Sequence, residues 1–233
     1  MRILKLFLFV CIVSSFVFPV GEAGAIFLLI SPGAAAQGTG EANVARVDDA
    51  YASYYNPASL AFQSKTSVAG MHVNWLKSLV PDLYYEYLGF SKPISGGGIG
   101  GHIIFLSLGE QQATNEVGDL LGSFSSYMWA LDGSYGTKLT ENSSIGLGFK
   151  VYHQKLADTQ VGGESDGGKP YSTDFAFDIS YLLRKKKHFM ITNKFYSLMG
   201  TKLIDSDYDK FRFGFNISNI GPPISFIDEA QAD

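Results

Sequence analysis

Few residues of this sequence are placed to do chemistry. The histidines His72, His102, His153 and His188 lie on separate segments, and none stands at metal-ligand spacing from another. Asp205-Ser206-Asp207-Tyr208-Asp209 opens like a calcium loop. Lys210, however, occupies the position of that loop's glycine, and Asn216 that of its bidentate glutamate. What remains is at most a divalent-cation contact in an exposed loop. Gly96, Gly98 and Gly101 fit G-x-G-x-x-G, but they lead from a turn into an extended segment, not from a strand into a helix. No nucleophile elbow is present, and no acid, base and nucleophile fall into a recognisable set. The sequence thus predicts no catalytic residue, no metal and no cofactor. Arg184-Lys185-Lys186-Lys187 reads as a solvated turn, with contact to anionic headgroups or a partner as the other reading.

The informative charges are Asp132, Lys150, Asp174, Asp178 and Arg212, because each sits on the polar side of an alternating segment. From Tyr127, one side carries Tyr127, Trp129, Leu131, Gly133 and Tyr135, and the other Met128, Ala130, Asp132, Ser134 and Gly136. From Ile145, Ile145, Leu147, Phe149 and Val151 alternate with Gly146, Gly148, Lys150 and Tyr152. From Tyr171, Phe175, Phe177 and Ile179 alternate with Asp174, Ala176, Asp178 and Ser180. From Phe211, Phe213, Phe215 and Ile217 alternate with Arg212, Gly214 and Asn216. Successive strand side chains point to opposite faces, so these are strands with one apolar face. Thr66–Trp75, Leu83–Phe90, Gly98–Leu108 and Phe189–Leu198 are four further strands with less regular alternation.

Arg2 and Lys5, an apolar run over Leu6–Val20 and the small-residue site Ala23-Gly24-Ala25 form a signal peptide, residues 1–25. The only cysteine, Cys11, lies within it, so the mature chain has no thiol chemistry and no disulfides. Apolar residues make up 46% and charged residues only 17%, against roughly a quarter in soluble domains. After the signal no apolar stretch is long enough to span as a helix, so spanning must fall to strands. The net charge of −4 argues against nucleic acid as a partner. Ser91–Gly97, Thr137–Asn142 and Arg184–Lys187 read as tight periplasmic turns. Gly109–Ser125, Ala157–Pro170 and Gly200–Lys210 read as longer extracellular loops.

Between the cleavage site and the first strand run Ile26-Phe27-Leu28-Leu29-Ile30-Ser31-Pro32-Gly33-Ala34, Gly38-Thr39-Gly40-Glu41-Ala42 and Asp48-Asp49-Ala50. Tyr54-Tyr55-Asn56-Pro57-Ala58-Ser59-Leu60-Ala61 closes the stretch. This segment resembles the amino-terminal signature of the PorV/PorQ family, a branch of the FadL-like outer-membrane barrels. The likeness continues more weakly through Leu83–Phe90 and Asn219-Ile220-Gly221-Pro222. It implies an all-β, antiparallel transmembrane barrel with residues 26–62 as a plug in the lumen and residues 63–233 as strands. It also implies either a non-enzymatic part of type IX secretion, binding secretion proteins or cargo, or a transporter of hydrophobic small molecules. Outer-membrane lipids would surround it.

The plug can be argued from its residues as well. Asp48 or Asp49 is a good N-cap for a helix over Ala50–Tyr54. Asn56 precedes Pro57 and is pushed out of helical geometry, so that helix ends there. The sequence shows about eight strands, fewer than the family implies, and a polar end without a closing aromatic strand. It therefore reads as the front of a longer protein with an open wall, or else as a small barrel with a tail. Asp132, Lys150, Asp174, Asp178 and Arg212 are expected to form a polar inner wall behind the plug, with Asp48 and Asp49 near its base. Charges there require either water or mutual pairing.

Overall fold

The computed structural model describes residues 24–222 apart from 79, 81, 116, 158–169 and 191–204. The predicted signal peptide falls almost wholly outside the described residues. Seven strands follow one another: β1 Ser67–Asn74, β2 Leu83–Ile94, β3 Gly97–Thr114, β4 Leu120–Lys138, β5 Ser143–Lys155, β6 Tyr171–Met190 and β7 Asp205–Ile220. Each pairs antiparallel with the next, in sequence order. Among the described residues the sheet is open, with β1 and β7 as its edges. The fold is thus all-β, as the alternation requires.

The alternation partitions the two faces. On one face Leu131, Leu147, Phe149, Phe175, Phe177, Phe213 and Phe215 are exposed. On the other Tyr85, Ile104, Ala130, Tyr152, Ala176 and Leu182 are buried beneath the amino-terminal segment. An exposed face this apolar suits hydrocarbon, not water. Across its upper edge runs a ladder of rings from β1 to β6. His72–Tyr84 centroids lie 5.8 Å apart, Tyr84–Phe105 6.0 Å, Phe105–Tyr127 6.1 Å, Tyr127–His153 6.1 Å and His153–Tyr171 6.2 Å. Such a girdle is where an outer-membrane barrel meets the bilayer surface. Phe177 lies below it, 5.2 Å from Phe149 and 5.8 Å from Phe175. We predict that Phe177→Arg costs roughly 2–4 kcal/mol, read as lost assembly yield in membranes. Phe177→Leu should assemble normally; equal yields would place this face away from lipid.

Several connections differ from the expectation. The β2–β3 turn is tight: only Ser95 and Gly96 intervene, with Gly96 at φ 89°. The β4–β5 turn is also short. Gly109–Ser125, however, is mostly strand. β3 pairs with β2 only as far as Leu108, and β4 with β5 only from Tyr127, so the remainder is a two-stranded hairpin. No sheet face is covered there, so the sequence shows no apolar alternation and reads as loop. Arg184–Lys187 is likewise strand, not turn: β6 runs through it, and Lys185 pairs with Phe211. Backbone pairing needs no apolar side chains, which is why a basic run hides it. Asp205–Asp209 begins β7 and is no calcium loop. The register from Phe177↔Ile220 to Met190↔Asp205 joins β6 directly to β7. Phe189 and Met190 end β6, and the rest of the expected strand Phe189–Leu198 lies outside the described residues.

Candidate functional site: a plug seated on a row of small residues

Residues 24–62 pack on the inner face as four short helices: α1 Ile26–Leu29, α2 Ala34–Gly38, α3 Ala52–Tyr55 and α4 Pro57–Phe62. Helices this short are not stable alone in water. Contacts with the wall hold them. Phe27 is buried and meets Tyr152 edge-on at 6.4 Å. Gln154 Nε2 donates to the Gly24 carbonyl at 2.7 Å, a bond that cleavage after Ala25 would remove. From β2, Tyr85 and Tyr87 hydroxyls donate to the carbonyls of Ile30 (3.1 Å) and Ala50 (3.3 Å). Within the plug, Tyr54 and Tyr55 donate to Leu28 (3.0 Å) and Pro32 (2.7 Å). Burial pushes the Tyr55 hydroxyl up to about 12, so it keeps its proton and remains a donor.

The helix expected over Ala50–Tyr54 is present as α3, two residues later. Its N-cap residue is Tyr51, without a side-chain cap. Asp49 acts just ahead of it: its Oδ1 accepts from Tyr51 N–H at 2.9 Å. Asp48 instead faces Arg212, at 3.9 Å. Arg212 also donates to the Arg46 carbonyl at 3.1 Å. Asn56 ends α3 in extended geometry (φ −165°), as a residue before proline should. It then caps α4, its Oδ1 accepting from Ala58 N–H at 3.1 Å. Its Nδ2 donates to the Val44 carbonyl at 2.7 Å and to the Tyr181 carbonyl of β6 at 3.3 Å. Pro57, buried, fixes the first turn of α4.

The seat of α4 is written in missing side chains. Gly98, Gly136, Gly146 and Ser180 lie opposite one another on β3, β4, β5 and β6. A Cβ on Gly98 would stand 2.2 Å from the Leu60 carbonyl oxygen. On Gly136 it would stand 2.4 Å from the Pro57 oxygen, and on Gly146 2.2 Å from Ala58 N. Ser180 completes the row by bonding instead of receding: its Oγ accepts from Ala58 N–H at 2.8 Å. Ser144 Oγ donates to the Ala58 carbonyl at 2.6 Å. The sequence shows this signal as glycines on alternate inward positions, which read only as a face poor in apolar residues.

The inward charges form two groups beneath the plug. Lys150 Nζ donates to Asp178 Oδ2 at 3.0 Å and to Asn219 Oδ1 at 2.8 Å, while Asp178 Oδ1 accepts from Asn219 N–H at 2.8 Å. Both charged residues are buried, at 3% and 0% exposure. Of the two routes open to inward charges, pairing is therefore taken at this point. Asp132 faces Lys150 in register, but its Oδ1 accepts from Ser134 Oγ at 2.7 Å and lies 3.4 Å from His102 Nδ1. Asp174 stands apart, half-buried and bonded by Ser172. The structure thus joins Lys150 to Asp178 and Asp48 to Arg212, and leaves Asp174 outside both groups.

Sequence reasoning passed over His102. It stacks on Tyr87 at 5.4 Å and meets Tyr54 edge-on at 5.8 Å. Ser53 Oγ of the plug lies 2.9 Å from the same Nδ1 that faces Asp132. Ser53, His102 and Asp132 share one ring nitrogen, so no proton can relay through the ring from one side to the other. All three are sealed from solvent. The geometry is that of a lock between plug and wall. Isolation in the sequence concealed it, because Ser53 and Asp132 are each far from His102 along the chain.

An antiparallel sheet with one exposed apolar face, a row of rings along it and its own amino-terminal segment packed on the other face is the architecture of an outer-membrane-type β-protein. The chain belongs to the PorV family: residues 20–233 match the family described as type IX secretion system protein PorV. No individually curated protein matches the chain.

Proposed function

We propose that the chain is a non-enzymatic outer-membrane component of type IX secretion, binding secretion proteins or cargo while the plug stays closed. One observation supports this reading: the inner face is covered by the chain's own residues, bonded to the wall from Tyr85 near one end to Ser144 near the other. A wall locked in this way suits a docking scaffold better than a conduit. In a bacterium that secretes by this route, deleting the gene should stop export of cargo, and the tagged chain should recover secretion proteins. Normal export in the deletion strain would sink the reading.

The transporter reading has one observation in its favour. A cleft of about 350 Å³ lies between plug and wall, lined by Leu28, Leu29, Tyr54, Lys150 and Asn219 among others. Uptake of a long-chain carboxylate that falls in the deletion strain, with export intact, would favour it. In either case the mature chain should begin at Ile26 in outer-membrane fractions. Amino-terminal sequencing that finds Met1 retained would refute the predicted signal.

A further inference from the structure

The predicted cleavage falls inside the packed part of the plug. Gly24 and Ala25 are both half-buried, and Ala25 packs against the cluster that holds Phe27 and Tyr152. The Ala25 carbonyl accepts from Leu28 N–H at 3.1 Å, and the Gly24 carbonyl from Gln154 at 2.7 Å. Cleavage adds water across the Ala25–Ile26 bond: the carboxylate departs on Ala25, and a protonated amine stays on Ile26. Gln154, only 2% exposed, loses its acceptor in the same step. Buried polar groups are nearly always hydrogen-bonded, so the wall must accommodate the new chain end.

The wall holds an acid at this place. Gln154 pairs with Ser172 and Tyr152 with Asp174, so Gln154 and Asp174 are diagonal neighbours on the inner face. Such neighbours lie roughly 7–8 Å apart, a gap that one ammonium between two side chains can bridge. One residue separates the Gly24 carbonyl from the Ile26 nitrogen, a span of about 5 Å at most. Phe27, the next residue, is fixed by its ring on Tyr152, the register partner of Asp174. Of the inner-face acids on β4 and β6, Asp132 stands beside His102 and Asp178 is paired with Lys150. Asp174 has the Ser172 hydroxyl, and among the described residues no ion pair reaches it.

We infer that Asp174 and Gln154 form the receiving site for the α-ammonium that signal cleavage creates at Ile26. Asp174 supplies the opposite charge. The Gln154 amide turns over, so that its Oε1 accepts from the ammonium where its Nε2 had donated to Gly24. In the uncleaved chain a neutral hydrogen bond holds this point. In the cleaved chain an ion pair holds it, and charge-assisted hydrogen bonds are roughly twice as strong as neutral ones. Processing and locking of the plug are thereby coupled, because α1 gains its charged anchor only once the signal is gone. The inference rests on the predicted cleavage site.

The test uses the full mature chain, purified from the outer membrane in detergent and treated briefly with acetic anhydride. Only the unprotonated amine reacts, and mass spectrometry of the amino-terminal peptide reads its acetylation. At pH 7 the Ile26 amine of the folded wild type should react at least about ten-fold more slowly than in urea, the equivalent of one pH unit. Asp174→Asn should bring the folded rate close to the unfolded one, and Asp174→Glu should restore the protection. Asp119→Asn, in the turn before β4, should leave it unchanged. A mature chain that keeps Ala25, with Asp174 intact, should lose the protection, because its amine is displaced by a residue. Equal protection in the wild type and in Asp174→Asn, or in the chain that keeps Ala25, would overturn the ion pair. An amino terminus other than Ile26 would overturn the cleavage site itself, and the receiving site with it.

Discussion

Gly146→Val unseats the plug. The new Cβ would lie 2.2 Å from Ala58 N and 2.3 Å from the Pro57 carbonyl carbon. Neither atom belongs to a flexible side-chain end, so backbone must move. Overpacking against movable side chains already costs about 1–3 kcal/mol, and here α4 must lift from the row. Lifting it breaks the bonds of Ala58 to Ser180 and Ser144 and that of Asn56 to Tyr181. The expected result is a wall that still assembles around a segment newly open to protease. Cleavage should fall within residues 26–62 while the strands stay protected. Gly133→Val is the control, since a Cβ there meets nothing within 4 Å. If the two variants are cleaved alike, α4 is not held by the glycine row.

The second large effect concerns the Lys150–Asp178 pair. Asp178→Leu leaves a buried ammonium with only Asn219 Oδ1, and we predict a loss of about 3–5 kcal/mol in stability. Adding Lys150→Met should recover most of that loss. What remains is the Asn219 N–H that Asp178 satisfied, an unpaired donor worth about 1–3 kcal/mol. Urea unfolding in detergent micelles, followed by the fluorescence of Trp75 and Trp129, measures both. A double variant as unstable as the sum of its two singles would show that the charges do not stabilise each other.

The strands were legible because two different surroundings flank the sheet. Exposed Phe149, Phe177 and Phe213 alternate with Lys150, Asp178 and Arg212 on the face that the amino-terminal segment covers, and alternation is a local property. The hairpin beyond Leu108 and the β6 extension through Arg184–Lys187 were not legible, because backbone pairing there comes without the apolar alternation that marks the other strands. Asn56-Pro57 was legible as a helix stop, since proline constrains its neighbour wherever it stands. Its second role, reaching Tyr181, depends on a contact 125 residues away along the chain. The His102 lock was hidden for the same reason. Asp48 and Asp49 were both placed near the base of the plug, but which one would bond Tyr51 ahead of α3 and which would face Arg212 depended on where β7 runs.

The short helices of residues 24–62 set an order of events. This segment is synthesised before every strand of the wall and follows directly on the predicted cleavage site. Yet α1 to α4 are each too brief to persist alone, and their partners arrive late: Tyr85 on β2, His102 on β3, Ser144 on β5, Ser180 on β6, Arg212 on β7. The part synthesised first is therefore the part that can fold last. Until β2 to β5 are laid down, Phe27, Leu28 and Leu60 lack the wall that buries them. Maturation should then show two kinetic phases, strand assembly followed by acquisition of protease resistance in residues 26–62.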